Sequence, residues 1–481
     1  MRPSDPWGRL KILKGGPHGL HTWQVIAGSA TLGLVVAAGA VLATGPWDNG
    51  QRKAERELAV AADRTGGAHH GRPTPDGPRP APSAPPVLPA LGTTVHDAPQ
   101  DPAGLRDILA PLIGAPELGT KVAASVVDTA TGKQLYGHGA TAPMTPASTI
   151  KIATTTAALS VLGPDHRIAT TAALSPDSRT LTLVGGGDPT LSAAALRTMA
   201  ADAADALRED DRASVRLAYD TSRYTGPVLH PISPNENIAP VTALMVDEGR
   251  LDDTDRGPAD RTDDPAGDAA RAFAAELRKA GVKVTGTPRE ARPAAESRTV
   301  ATHRSAPLSA LVERTLTNSD NDIAEALARQ TAIAKGESAD FAGVRRAVTN
   351  ELKKLHIPLA GAHLADGSGL DREDRVTPAL LTALLARAAD PERPGLRPVL
   401  TGLPIAGFSG TLDDRYRQDS EGTGLIRAKT GTLNGVNSLA GTVVDSRGRL
   451  LAFAFLASGS RSATEAEPAL DALATALAGP A

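Results

Sequence analysis

Beyond residue 105 the apolar positions of this chain recur either every three to four residues or every second residue, and the runs end at glycine, proline or clustered charge. Helical spacing predicts helices over 105–113, 193–207, 266–280, 308–316, 323–334, 341–355, 378–388 and 465–477. Strands are expected over 122–127 and 134–136, a hairpin across Asp128-Thr129-Ala130-Thr131-Gly132-Lys133, and over 181–184 and 215–219. Three more fall near the C-terminus, at 424–429, 438–444 and 450–456, the last two joined by Asp445-Ser446-Arg447-Gly448. This order predicts an antiparallel sheet flanked by helices, an α/β (α+β) arrangement.

Before residue 105 the pattern differs. Residues 23–44 carry no charged side chain and are about long enough to cross a bilayer as a helix. Arg2, Arg9, Lys11 and Lys14 precede them, so the positive-inside tendency keeps 1–22 cytoplasmic and places the rest outside the cell. A single-pass membrane anchor is expected. The alternative is a cleaved signal peptide ending near Val41-Leu42-Ala43, which leaves a secreted protein. Residues 45–104 are polar and then proline-rich, from Pro73 to Pro89, with too few large apolar side chains for a core. Such a linker holds a folded domain up to roughly 100 Å from the membrane.

Composition narrows the chemistry. The formal charge of −3 over 481 residues gives no reason to expect a nucleic-acid partner. There is no cysteine, which excludes disulfides, thiolate catalysis and thiol-zinc sites. The eleven histidines form no H-E-x-x-H pair, so neither a metal nor a cofactor is expected. Aromatic residues make up only 2% of the chain, and the core must be built from Ala, Val and Leu.

Candidate chemistry begins at Pro146-Ala147-Ser148-Thr149-Ile150-Lys151, followed by an alanine- and threonine-rich run free of Gly and Pro until Gly163. Ser148 is expected at a helix N-terminus, with Lys151 three residues on and within reach of its hydroxyl. A serine attacks well only when a neighbour takes its proton, and a lysine does so only where burial or another cation lowers its pKa. Alone, S-x-x-K is weak evidence. Two further stretches follow in order: Asn318-Ser319-Asp320-Asn321 after a helical run, and Ala428-Lys429-Thr430-Gly431-Thr432 in a strand-like segment. S-x-x-K, S-D-N and K-T-G together are the signature of serine β-lactamases and penicillin-binding proteins.

With these motifs placed, the chain from 105 onward resembles the penicillin-binding protein 4 type of D-alanyl-D-alanine carboxypeptidase, peptidase family S13. Gly187-Asp188-Pro189-Thr190-Leu191, Ala239-Pro240-Val241, Met245-Val246-Asp247-Glu248, Asp366-Gly367-Ser368-Gly369-Leu370 and Gly410-Thr411-Leu412 are similar to stretches typical of that family. The resemblance implies a serine β-lactamase/transpeptidase-like catalytic domain formed by 105–166 and 300–481, with an inserted subdomain at 167–299 that is shorter than in the larger members. It further implies acyl transfer onto Ser148 with Lys151 as base, Ser319 as proton carrier to the leaving amine, and Asn321 as a bond to the substrate amide. Lys429 then supplies positive charge in the substrate-binding cleft, which also helps keep Lys151 neutral, the hydroxyls of Thr430 and Thr432 bind the terminal carboxylate, and the backbone amides of Ser148 and Thr432 form the oxyanion hole. The implied partners are a peptidoglycan stem peptide and β-lactam inhibitors, with D,D-endopeptidase action left open.

Other stretches read as structural. Gly185-Gly186-Gly187 lacks the ending of a phosphate loop and is expected as a tight turn. Residues 247–265 are a run of mixed charge, expected as a solvated loop, and Asp366 and Ser368 are expected as turn residues. Asp320 is expected to orient its loop. Two other functions fit the same outline: a β-lactamase, although no E-x-x-L-N stretch lies between Ser148 and Ser319, and a non-catalytic wall-binding or sensor module.

Overall fold

The computed structural model describes residues 102–479, apart from 234 and 417–419. The expected membrane span and the expected linker up to residue 101 lie outside the described residues, and 102–104 open the first helix. Among those described, no helix is long and apolar enough to cross a membrane.

One sheet is organised around the chain's C-terminal strands. Strands β1 (Lys121–Asp128) and β2 (Gln134–His138) form the expected hairpin. They join β8 (Ile426–Leu433), β9 (Val436–Val444) and β10 (Leu450–Ser458) in the order β2-β1-β10-β9-β8, antiparallel throughout. Strand β10 alternates between two cores. Ala452, Ala454 and Leu456 face one, while Leu451, Phe453, Phe455 and Ala457 face the other. Such a strand is buried on both faces and reads as continuous apolar sequence.

The two faces are built for different neighbours. On the aromatic side, Phe453 and Phe455 stack at 5.2 Å against helices α1 (Pro102–Ile113) and α9 (Ala463–Ala478). Full burial of each such ring contributes about 2–3 kcal/mol. On the small-residue side, alanines let helices α2 (Lys151–Leu162) and α8 (Pro378–Ala389) approach closely, and Ser125 and Thr382 exchange a hydrogen bond at 3.1 Å across the seam. Helix α2 is buried from Lys151 to Leu159 on all sides. Its threonines cope by bonding backbone carbonyls: Thr155 to Lys151 and Thr156 to Ile152, both at 2.6 Å.

The inserted region has its own sheet and core. Strands β3 (Ala169–Leu174), β4 (Thr180–Val184), β5 (Ser214–Asp220), β6 (Lys283–Glu290) and β7 (Arg298–Arg304) stand in the order β6-β5-β4-β3-β7. The β4-β5 and β5-β6 pairs are parallel and the other two antiparallel. Helices α3 (Ala193–Glu209) and α4 (Pro265–Lys279) cover it, with Phe273 at the centre of the cluster. The sheet ends at Arg304, so the first lobe resumes near 305 rather than at 300. It continues through α5 (Leu308–Asn318), α6 (Asn321–Ala334) and α7 (Phe341–Lys354). All of this belongs to one compact unit.

Candidate active site

Ser148 lies in a tight 3-10 turn, Ala147–Ile150, that runs directly into α2. The backbone is forced here. Ala147 has φ of +47°, a region that L residues other than Asn and Asp seldom occupy. Two close approaches hold the turn. Ser438 Oγ on β9 donates to the carbonyl of Pro146 at 2.6 Å, and Thr149 Oγ1 donates to the same oxygen at 2.7 Å.

Lys151 is fully buried, and its amine meets three groups. Nζ lies 2.9 Å from Ser148 Oγ, 2.6 Å from Asn321 Oδ1 and 2.6 Å from the carbonyl of Ser368. The last two oxygens can only accept. A neutral amine therefore spends its two hydrogens on them and turns its lone pair toward the serine hydroxyl. Burial lowers the Lys151 pKa from 10.5 to about 8, against the opposing pull of Asp366, Asp320, Glu325 and Asp374. The geometry and the desolvation both suit a base.

The S-D-N motif sits between two helices. Ser319 closes α5 in the left-handed region at φ of +60°, and Asp320 caps α6 by accepting from the Ile323 amide at 2.9 Å. Asp320 thus orients the loop, as its local sequence suggests. Asn321, at the first turn of α6, is engaged at both ends: Oδ1 with Lys151, and Nδ2 donating to the carbonyl of Asn237 at 2.9 Å. Ser319 faces the same cleft as Ser148.

Strand β8 is an edge of its sheet, so its outer side is free to meet the nucleophile turn. Gly431 makes the approach possible. A methyl group there would stand 2.7 Å from the carbonyl of Pro146 and 3.1 Å from the amide of Ser148. Thr430 and Thr432 line the cleft, but their hydroxyls already have partners. Thr430 Oγ1 donates to Thr411 Oγ1 at 2.8 Å, and Thr432 Oγ1 donates to Glu467 Oε1 at 3.0 Å.

Lys429 is fully buried, and Nζ donates to the carbonyl of Thr430 at 2.8 Å. Burial, then Lys151, then Arg415 push its pKa well below 10.5.

The cleft, about 350 Å³, brings together Ser148, Ser319, Asn321, Thr430 and Thr432, with both lysines behind its surface. Its other wall corrects the sequence reading. The run 247–265 is not simply a solvated loop: Arg250, Arg256, Gly257, Pro258 and Arg261 line the cleft. Glu248 bonds Arg250 at 3.0 Å and pairs with Arg314, while Arg261 pairs with Asp322 at 3.2 Å. Three guanidinium groups therefore offset the converging carboxylates Glu248, Asp320 and Asp322. Charge alternation between 247 and 261 was the available signal, but two of the partners, Arg314 and Asp322, are distant in sequence.

Asp366 and Ser368 also do more than turn the chain. The Ser368 carbonyl holds Lys151, and the Asp366 carboxylate gathers the amides of Ser368, Gly369 and Asp371 at 3.0, 2.6 and 2.8 Å. Gly369, at φ of +86°, has no room for a Cβ beside the Ala147 carbonyl. Gly187 is structural, as expected. It has φ of +92° and packs against Tyr224 and Gln330.

Comparison with known proteins bears on the whole described chain. The model of the D-Ala-D-Ala carboxypeptidase 3 (S13) family matches residues 105–256 and 252–478. A carboxypeptidase of Mycobacterium tuberculosis is 37% identical over 420 residues, covering 82% of this chain and 88% of that protein. Carboxypeptidase DacB of Mycolicibacterium smegmatis is 38% identical over 391 residues, covering 78% and 84%. In fold, the chain is similar to penicillin-binding protein 4 of Haemophilus influenzae, with a TM-score of 0.65 at 22% identity, over 77% of this chain and 97% of that one.

Proposed function

The chain belongs to the D-Ala-D-Ala carboxypeptidase 3 (S13) family, and from that premise we propose how its cleft carries out the reaction. The enzyme is a serine-type D-Ala-D-Ala carboxypeptidase acting on peptidoglycan stem peptides. The observation that carries the mechanism is the environment of Lys151: a buried amine with two acceptors in place and Ser148 Oγ at 2.9 Å.

Lys151 takes the proton of Ser148 as its oxygen attacks the carbonyl of the penultimate D-alanine. The tetrahedral oxyanion is received by the backbone amides of Ser148 and Thr432, the first of them brought close to strand β8 at Gly431. Donors of this kind typically contribute about 3–4 kcal/mol to the transition state. Ser319 delivers a proton to the leaving amine. Terminal D-alanine departs, and water hydrolyses the ester on Ser148. Asn321 holds Lys151 and presents its amide toward the substrate backbone. Thr430 and Thr432 receive the terminal carboxylate after exchanging their present partners, with the Lys429 amine held beside them on the Thr430 carbonyl.

β-Lactams enter the same cleft and acylate the same serine. The similar protein of Haemophilus influenzae has been crystallised with one bound. Labelling purified protein with a fluorescent penicillin, beside Ser148→Ala, tests the nucleophile. Release of D-alanine from a peptide ending in D-Ala-D-Ala tests the reaction. Binding of that peptide without release would favour a sensor role.

Anchorage is part of the same proposal. The uncharged run 23–44, preceded by Arg2, Arg9, Lys11 and Lys14, supports a single-pass membrane protein whose catalytic unit lies outside the cytoplasm. Recovery of the full-length chain from washed membranes only with detergent is the expected result. A shortened, freely soluble chain would point to signal cleavage.

A further inference from the structure

His230 belongs to the inserted region, yet its side chain is buried against the first lobe beneath the catalytic lysine. Nε2 lies 2.9 Å from Asp366 Oδ2 and 3.9 Å from Glu325 Oε1. Nδ1 accepts a long bond of 3.4 Å from the Ile232 amide, so Nε2 carries the hydrogen and donates it to Asp366. The ring is fixed from the side by Phe341, edge-on at 5.4 Å.

The Asp366 carboxylate that receives this bond shapes the loop in contact with Lys151. It gathers the amides of Ser368 and Gly369, and the loop delivers the Ser368 carbonyl to Lys151 Nζ at 2.6 Å. Glu325 Oε1 fixes the same loop by accepting from the Gly367 amide at 2.9 Å, and Thr154 of α2 bonds the Gly367 carbonyl at 2.7 Å. Three segments distant in sequence, at His230, Glu325 and the start of α2, thus converge on one short stretch of backbone. The Ser368 carbonyl is one of the two acceptors that turn the lone pair of Lys151 toward Ser148.

We infer that His230 is a positioning residue for the catalytic base: by donating to Asp366 it holds the Ser368 carbonyl on Lys151 and tempers the negative charge of Asp366 beneath that amine. The inserted region thereby takes part in catalysis without touching substrate. The inference rests on Lys151 being the base.

The sign of the effect follows from the groups around the two side chains. Lys151 is faced by Asp366 and Asp374 from the loop, by Asp320 and Glu325 from α6 and its cap, and by Lys429 from β8. His230 is faced by Asp366, Glu325 and Asp371. Arg329 offsets Glu325 at 2.8 Å, which leaves Asp366 as the carboxylate that His230 serves. Without the bond from His230, Asp366 acts on Lys151 undiminished. Its ammonium form gains, and activity requires a higher pH.

The test compares two amides of equal polarity. In His230→Gln the side-chain nitrogen occupies roughly the position of Nε2 and reaches Asp366. In His230→Asn it occupies that of Nδ1 and does not. Purified proteins are checked by thermal melting, and acylation by a fluorescent penicillin and release of D-alanine are measured from pH 6 to 10. His230→Gln is expected to keep the wild-type profile. His230→Asn is expected to shift the acid limb upward by about half to one unit. At pH 7 its kcat should fall about three- to tenfold, with KM within twofold. An unmoved limb in His230→Asn, or equal shifts in both variants, overturns the inference. Should His230→Asn fail to fold, the wild type still decides: a slowly exchanging imidazole Nε2–H resonance supports the bond, and its absence overturns it. Lys151→Met is measured alongside. Acylation by that variant with an unchanged limb would sink the assignment of the base itself, a different failure from that of His230.

Discussion

Thr432 Oγ1 donates to Glu467 Oε1 at 3.0 Å, so the hydroxyl expected to receive the substrate carboxylate is occupied by a carboxylate of the protein. Glu467 sits on α9 at the rim of the cleft beside Arg415, whose guanidinium is bound by Asp471 at 2.5 Å. An arriving terminal carboxylate must displace Glu467 and bear its repulsion. At a partly exposed site that repulsion amounts to about 0.5–1 kcal/mol. Glu467→Gln is expected to lower KM for a D-Ala-D-Ala peptide about two- to fivefold with little change in kcat. The gain should shrink in high salt. Unchanged KM at low salt would rule out this competition.

The pH profile should report Lys151. Its pKa of about 8 lies below the usual 10.5 because the amine is buried. The active form is the neutral amine, so acylation should rise about tenfold per unit below pH 8 and level off above it. At pH 7 about one enzyme in ten carries the neutral amine. Lys151→Arg keeps its charge at every accessible pH and should lose about 10²- to 10⁴-fold in acylation. Stopped-flow labelling across pH checks both, and a flat profile from pH 6 to 9 would exclude the lysine as base.

Gly431 sets the distance between strand β8 and the nucleophile. Its added methyl group would meet Ser438 Oγ, the Pro146 carbonyl at 2.7 Å and the Ser148 amide at 3.1 Å. Two of these three are backbone and cannot swing aside. Gly431→Ala is expected to melt within a few degrees of wild type, because the strain relaxes by moving an edge strand. Acylation should fall about 10²-fold, since a displacement near 1 Å at the reacting groups costs that much. Normal labelling by this variant would mean that β8 does not shape the oxyanion site.

These two cases show why parts of the site were legible in sequence and others were not. Ser148 and Lys151 are three apart on one helical turn, and Ser319 with Asn321 flank a cap residue; local spacing alone brings each pair together. The burial of Lys429 was invisible, because a lysine between Ala428 and Thr430 reads equally well as an edge-strand cation. His230 and Arg261 are buried against carboxylates far along the chain, Asp366 and Asp322, and no local pattern encodes that pairing. The strands that went unread failed for a related reason. Strand β6, KVTGTPRE, contains Gly and Pro and is mostly exposed, so it lacks the alternation that betrays β1, β9 or β10. Helix α2 was legible as a helix despite having no polar face, since its threonines are satisfied by their own backbone.

Arg314 ties the inserted region to the S-D-N loop. It pairs with Glu248 and lies 3.5 Å from Asp320. Both carboxylates are buried, and Glu248 keeps only Arg250 if Arg314 is removed. Arg314→Leu is expected to destabilise by about 2–4 kcal/mol, less than a fully buried pair because Arg314 is one-third exposed. Activity should fall with stability, and Tm should drop by several degrees in a thermal melt. A variant with wild-type Tm would show that the wall and the motif are held together by other contacts.

Penicillin should trap this enzyme rather than be turned over. Hydrolysis of the acyl-enzyme needs a water placed against the ester and a group to take its proton. When a peptide is the substrate, the free D-alanine leaves and opens space for that water. The ring-opened part of a penicillin stays attached and fills the same end of the cleft. A β-lactamase overcomes this with an additional carboxylate that holds a water beside the ester. Here three of the four carboxylates lining the cleft are committed elsewhere, Asp322 to Arg261 and the Ala239 amide, Asp320 to the cap of α6, and Glu467 to Thr432, while the fourth, Asp414, is exposed to solvent. Nitrocefin should therefore give a burst of one equivalent per enzyme followed by a slow steady state, and mass spectrometry should find the acyl adduct on Ser148 after many minutes. Sustained rapid turnover without a detectable adduct would mean that a deacylating base exists in the cleft, and would move the protein toward the β-lactamases.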